Sequence, residues 1–159
     1  MFWNVSKSVR RSRVVYRFGL ATLTCFLIVG APVRAQTDTC NLEGSWKDRD
    51  TEVKFTWTAE YTLKNGTESL TGKYVQPSPS NETGEAKGSG RTGDWTLTFV
   101  SKGPGNTGYS RDLTGEGAKD PLTGFLRLDG KYTLKKNGVE TGQEGVFEIA
   151  GRCIAQPKK

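Results

Sequence analysis

Apolar and polar residues alternate with a period of two along most of the chain beyond residue 35. From Leu42 the even positions Leu42, Gly44, Trp46 and Asp48 oppose the polar Glu43, Ser45, Lys47 and Arg49, the pattern of a strand with one buried face. Val53, Phe55, Trp57, Ala59, Tyr61 and Leu63 then share one face, with Glu52, Lys54, Thr56, Thr58, Glu60, Thr62 and Lys64 on the other. That run ends at Asn65-Gly66, a strong hairpin signal because both residues tolerate the left-handed backbone of a tight turn. A third strand places Leu70, Gly72, Tyr74 and Gln76 against Thr71, Lys73 and Val75, and Pro77-Ser78-Pro79-Ser80-Asn81 breaks it into a surface loop.

A weak, glycine-rich fourth strand from about Glu85 to Ser89 precedes a fifth, Asp94 to Ser101, with Trp95, Leu97 and Phe99 inward. The stretch Lys102 to Gly108 is a loop, followed by a strand over about Tyr109 to Gly117. Leu122, Gly124, Leu126, Leu128, Gly130, Tyr132 and Leu134 keep one phase until Asn137-Gly138, and Gln143 to Ile154 is the last strand, with Phe147 and Ile149 inward. Eight strands joined by short turns, with no helical pattern outside the N-terminal segment, make an antiparallel meander. Its first and last strands are edges, and closure into an up-and-down barrel removes them. The fold class expected is therefore all-β, an eight-stranded antiparallel barrel.

The cysteines agree with closure. A basic segment to Arg17, an apolar run of about 14 residues from Phe18 to Ala31, and Val33-Arg34-Ala35 with small residues at the last and third-last positions read as a secretory signal over residues 1–35, cleaved before Gln36. The run is shorter than the roughly 20 residues of a membrane-spanning helix, so no membrane attachment is expected after cleavage. Cys25 leaves with this leader, and Cys40 and Cys153 remain, one at each end of residues 36–159. In an oxidising compartment they pair, as a barrel that brings its first and last strands together allows. Asn65-Gly66-Thr67 and Asn81-Glu82-Thr83 are glycan acceptor sequences at polar, turn-like positions, or else plain turn asparagines.

Charge narrows the function classes. The net charge of +6 comes from Lys7, Arg10, Arg11, Arg13, Arg17 and Arg34 in the leader, leaving 17 basic against 17 acidic residues beyond it. A charge-balanced barrel does not favour nucleic acid as a partner. There is no histidine, so no His-ligated metal or His-based hydrolytic centre is expected. Asp48, Glu52, Glu82, Asp94 and Asp112 are candidates for a carboxylate pair, but no spacing singles one out, and the chain is read as a non-enzyme without a cofactor.

Several segments resemble the avidin family of biotin-binding barrels. Cys40-Asn41-Leu42-Glu43-Gly44-Ser45-Trp46 is similar to that family's first strand, Leu70-Thr71-Gly72-Lys73-Tyr74 to its third and Gly93-Asp94-Trp95-Thr96-Leu97-Thr98-Phe99 to its fifth, while Leu113-Thr114-Gly115-Glu116 matches the sixth more loosely. The likeness covers about the first 80 residues after the leader and thins after Gly117. It implies a small-molecule binder with biotin as the lead ligand, assembly into a dimer or tetramer, and a ligand site at Asp48, Glu52, Tyr74, Gln76 and Phe99.

Position by position this set departs from the family. Asp48 stands where an asparagine donates to the ureido oxygen of biotin, and an ionised aspartate only accepts. Glu52 replaces a serine, Gln76 a small hydroxyl residue and Phe99 a tryptophan, while Arg111 and Leu113 occupy the hydroxyl and tryptophan positions ahead of the sixth-strand glycine. Tyr74 matches the family's tyrosine donor. Trp46, Trp57 and Trp95 read as core aromatics or as ligand contacts, and Asp48 as a solvated rim charge or as a partner for ligand, Arg111 or Arg127. Two other functions stay open: a lipocalin-like binder of an apolar ligand, and an interaction or inhibitor protein using the barrel as a scaffold, with loops at Gln76 to Glu82 and Lys102 to Gly108 as its contacts.

Overall fold

The computed structural model describes residues 36–156 except Thr92, Pro104 and Gly105, so the leader expected over residues 1–35 lies outside the described residues. Eight strands follow one another: β1 (Gln36–Asp48), β2 (Thr51–Lys64), β3 (Thr67–Gln76), β4 (Glu82–Arg91), β5 (Asp94–Ser101), β6 (Tyr109–Lys119), β7 (Phe125–Lys136) and β8 (Val139–Ala155). Each pairs antiparallel with its neighbours in sequence, and β8 pairs with β1, closing the barrel. The all-β class, strand number and closed up-and-down order agree with the period-two reading.

The turns do what their residues allow. Asn65-Gly66 has φ of 53° and 74°, and Asn137-Gly138 has 52° and 81°, the positive pairs that let a two-residue turn match the twist of its flanking strands. One face of each strand lines the interior, where Leu42, Trp57, Leu70, Leu97, Leu128 and Ile149 are all buried. Cys40 lies directly opposite Cys153 in the β1–β8 register, and the two form a disulfide.

Several strand boundaries differ from the periodicity, among them the start of β8 at Val139, ahead of the expected Gln143. β1 starts at Gln36, six residues before Leu42, and β4 runs from Glu82 to Arg91, well beyond the weak segment at 85–89. Leu122 is not on the inward face of β7; it is 95 % exposed. Asp120 explains this: its carboxylate accepts from the backbone N–H groups of Leu122 and Thr123 at 2.7 and 3.2 Å, and Gly124 at φ 69° completes a turn that holds Leu122 outside the ladder. Leu63 also leaves the inward set, being 48 % exposed beside the Asn65-Gly66 turn.

The barrel has two unlike ends. One carries the start of β1, the end of β8, the disulfide and the 65–66 and 120–124 turns, and the other carries the longer loops 77–81 and 102–108. At the disulfide end, Lys119 is ion-paired with Asp38 and lies 4.4 Å from the ring centroid of Tyr61, whose hydroxyl donates to Glu68 at 2.6 Å. Burial, and then that hydrogen bond, pushes the Tyr61 phenol above its ordinary pKa. We expect replacement of both Cys40 and Cys153 by alanine to lower stability by about 4 to 5 kcal/mol, since the bridge spans a sequence separation of 113. Urea unfolding of the two proteins checks this; equal midpoints would show that β1–β8 pairing alone sets the closure.

Candidate functional site

At the loop-bearing end, side chains from four consecutive strands meet in one polar cluster: Tyr74 from β3, Glu82 from β4, Ser101 from β5 and Arg111 from β6. Tyr74 Oη donates to Glu82 Oε1 at 2.5 Å, Ser101 Oγ at 2.5 Å and Arg111 Nη1 at 2.8 Å, all to the same oxygen. The Tyr74 and Ser101 hydroxyls are themselves 3.2 Å apart. Register explains the convergence. Gly84 lies opposite Tyr74 on one side and Ser101 on the other, and a Cβ there would come within 2.6 Å of the Tyr74 ring. Lacking one, β4 lets the tyrosine cross over it to reach Glu82.

Beneath this cluster the barrel is filled with rings. Trp46 and Phe55 stack with centroids 3.8 Å apart, Phe99 meets Trp46 edge-on at 4.9 Å, and Tyr74 meets Phe99 at 5.1 Å. Gly44 makes the stack possible, because a Cβ at that position would run into the Phe55 ring. The Gly-x-Trp spacing of the first strand thus has a local cause: the glycine leaves room for the ring that packs on the tryptophan. The Arg111 guanidinium lies 4.9 Å from the Trp46 ring centroid, so the indole is packed by Phe55 and by a cation. Trp46 Nε1 donates to Gln76 Oε1 at 2.9 Å, and Gln76 Nε2 donates to Ser80 Oγ at 2.8 Å, tying the ring stack to the 77–81 loop.

The electrostatics follow from burial. Desolvation alone raises the pKa of the Glu82 carboxyl, but the Ser101 and Tyr74 hydrogen bonds and the Arg111 charge outweigh it and hold the group below its ordinary value. The Tyr74 phenol is pushed well above its usual range, first by burial and then by donating to a carboxylate. Arg111 and Glu82 form an ion pair with both side chains largely out of water, an arrangement that is costly to break from one side.

The residues expected from the sequence fall into three groups. Tyr74, Gln76 and Phe99 are buried and brought together with Trp46. Asp48 is half-buried at the rim, where Gln143 Nε2 donates to it at 2.9 Å. Neither expected cation is its partner: Arg111 is held by Glu82, and Arg127 by Glu148 at 2.9 Å on the outer surface. Glu52 stands apart, exposed on the outer face opposite Lys47 in the β1–β2 pair. Its parity, opposite to that of Val53 and Phe55, already places it outward, and the structure does not bring it to the others. Trp57 and Trp95 are buried, and neither indole N–H meets a hydrogen-bond partner among the described residues. Asn65 and Asn81 are exposed, with φ of 53° and 46°.

Glu82, central here, entered the sequence reading as one of many acids, as the middle of an acceptor sequence and as the end of a loop. Extending the parity of Ala86 back through Gly84 would have found it, since 82, 84 and 86 are all buried. The remaining space is small. A hollow of about 170 Å³ at the mouth is lined by Trp46, Asp48, Val53, Arg111, Tyr132 and Gln143 among others, below the roughly 300 Å³ at which small-molecule pockets usually begin.

The fold defines the class, a closed eight-stranded antiparallel barrel with a polar cluster under one end. No family model matches the chain, and no curated protein matches it in sequence.

The cluster makes a pH prediction. A carboxyl whose folded pKa is lowered contributes stability that is complete above its unfolded value and is lost as pH falls through the lowered folded value. Glu82→Gln should therefore cost about 3 kcal/mol at neutral pH, and the gap to the native protein should close as pH drops below the ordinary 4.5. Urea titrations of both proteins in steps from pH 7 downward measure it; a gap that stays constant would mean the Glu82 charge adds nothing.

Proposed function

We propose that this is a secreted, non-enzymatic protein that binds a small molecule at the loop-bearing end of an avidin-like barrel, with biotin as the lead ligand at reduced affinity. The observation that carries the reading is Tyr74, a fully buried hydroxyl set 3.2 Å from a second hydroxyl, Ser101, against the aromatic wall of Phe99 and Trp46. A ureido oxygen taken into a dry site needs such donors, because each one missing costs about 1 to 3 kcal/mol. Both donors are already engaged by Glu82, and the hollow at the mouth, which Arg111 lines, is small, so binding requires the Arg111–Glu82 pair to yield. That is the physical reason for the reduced affinity. Secretion is supported by the leader pattern and by the disulfide, and the family resemblance favours a homo-oligomer.

The filled interior leaves little room for a lipocalin-like apolar ligand. It favours instead, as the second reading, an interaction or inhibitor protein whose loops 77–81 and 102–108 meet a protein or glycan on a solid scaffold. Calorimetric titration with biotin separates the two. The binding reading expects one saturable site per chain, of micromolar or weaker affinity, weakened about tenfold or more in Tyr74→Phe. No heat at millimolar biotin would discard biotin and leave the scaffold reading.

A further inference from the structure

Resting on the reading that the loop-bearing end is the ligand's, one residue there has the position of a ligand itself. Tyr74 Oη, Ser101 Oγ and Arg111 Nη1 come from three different strands and meet at a single oxygen, at 2.5, 2.5 and 2.8 Å. An ion pair needs only Arg111 and Glu82. Two further hydroxyls on the same oxygen, with Tyr74 and Ser101 at 0 % and 3 % exposure, make a receptor for an oxyanion. The receptor is filled from within the chain.

We infer that Glu82 is the specificity-determining residue of this site: its carboxylate stands where a ligand's acceptor oxygen would lie, so a ligand that leads with a carboxylate or carbonyl oxygen binds the native barrel only by displacing it. Shortening that side chain turns the cradle into a binding site for a small carboxylate. The internal group is tethered at the first residue of β4, already oriented, at an effective concentration no dissolved carboxylate reaches. The cradle does not depend on Glu82 for its shape. Tyr74 is wedged over Gly84 and against Phe99, and Arg111 stacks on Trp46, whose indole is fixed by Gln76. Removing the carboxylate therefore leaves two hydroxyls and a guanidinium in place around the space it filled, and the uncompensated Arg111 charge with two further O–H donors favours an anion of matching size there.

The test uses formate and acetate as probes, with chloride at equal ionic strength as the control. In Glu82→Ala, the thermal midpoint should rise saturably with formate, by about 5 °C at high excess, while the native protein responds to formate and chloride alike. Adding Tyr74→Phe to Glu82→Ala should weaken the formate response about tenfold. Should Glu82→Ala emerge unfolded, refolding with formate but not with chloride is the expected result, and refolding in neither overturns the inference. A folded Glu82→Ala that does not distinguish formate from chloride also overturns it. Biotin titrations of the same two proteins keep the claims separate. Formate binding with no biotin binding retains Glu82 as the occupant and removes the biotin reading, whereas biotin binding by the native protein with no formate response in the variant does the reverse.

Discussion

Backbone pairing between β1 and β8 turns an open meander into a ring, and every interior contact follows from that ring. Before closure, each strand of this sequence has one apolar face and nothing to lay it against, and the two outermost ladders lack partners. Once Cys40 stands opposite Cys153, the register of all eight strands is set relative to one another, because each is pinned by a short turn to the next. Residues far apart in sequence then meet across the interior. Trp46 reaches Gln76 over 30 positions, and Arg111 reaches Glu82 over 29.

The ring is finished differently at its two ends. At the disulfide end, Lys119 and Asp38 pair beside Tyr61; at the other, Arg111 and Glu82 pair beside Tyr74. Each tyrosine lends its hydroxyl to a glutamate and its ring to the core. The apolar centre between them is dense, and its glycines are part of that density: Gly44 and Gly84 exist where a neighbouring ring occupies the space of a side chain. Charged groups buried in this way add little net stability compared with apolar residues of the same volume, but they are costly to break, and so they fix which side chains may sit there.

Much of the fold was legible in the sequence because strand periodicity is a local signal. β2 displays it over a dozen residues, and its inward set from Phe55 to Tyr61 is buried as the alternation implies. Leu122 misled because its phase matches β7 while Asp120, two residues before it, holds it in a turn; a competing side-chain hydrogen bond is invisible to a count of apolar positions. The site was less legible for a different reason. Tyr74, Gln76 and Phe99 were found through motif likeness and do come together, but Glu82 has no apolar neighbour in β4 other than Ala86 to reveal its face. Its meaning depends on partners 8, 19 and 29 positions distant, which only the register brings to one point. Asp48 shows the converse, since the arginine that matched it by charge is claimed by a better-buried acid.

The bridge between Cys40 and Cys153 also determines how the chain carries load. Everything from Asn41 to Arg152 lies inside a covalent loop, and the chain before Cys40 and after Cys153 lies outside it. A pull applied at the two chain ends passes from one tail through the sulfur atoms to the other, bypassing the strands between. Anchored at both ends, the barrel would sit in a stretched tether as a node that bears tension without unravelling, for as long as its surroundings stay oxidising.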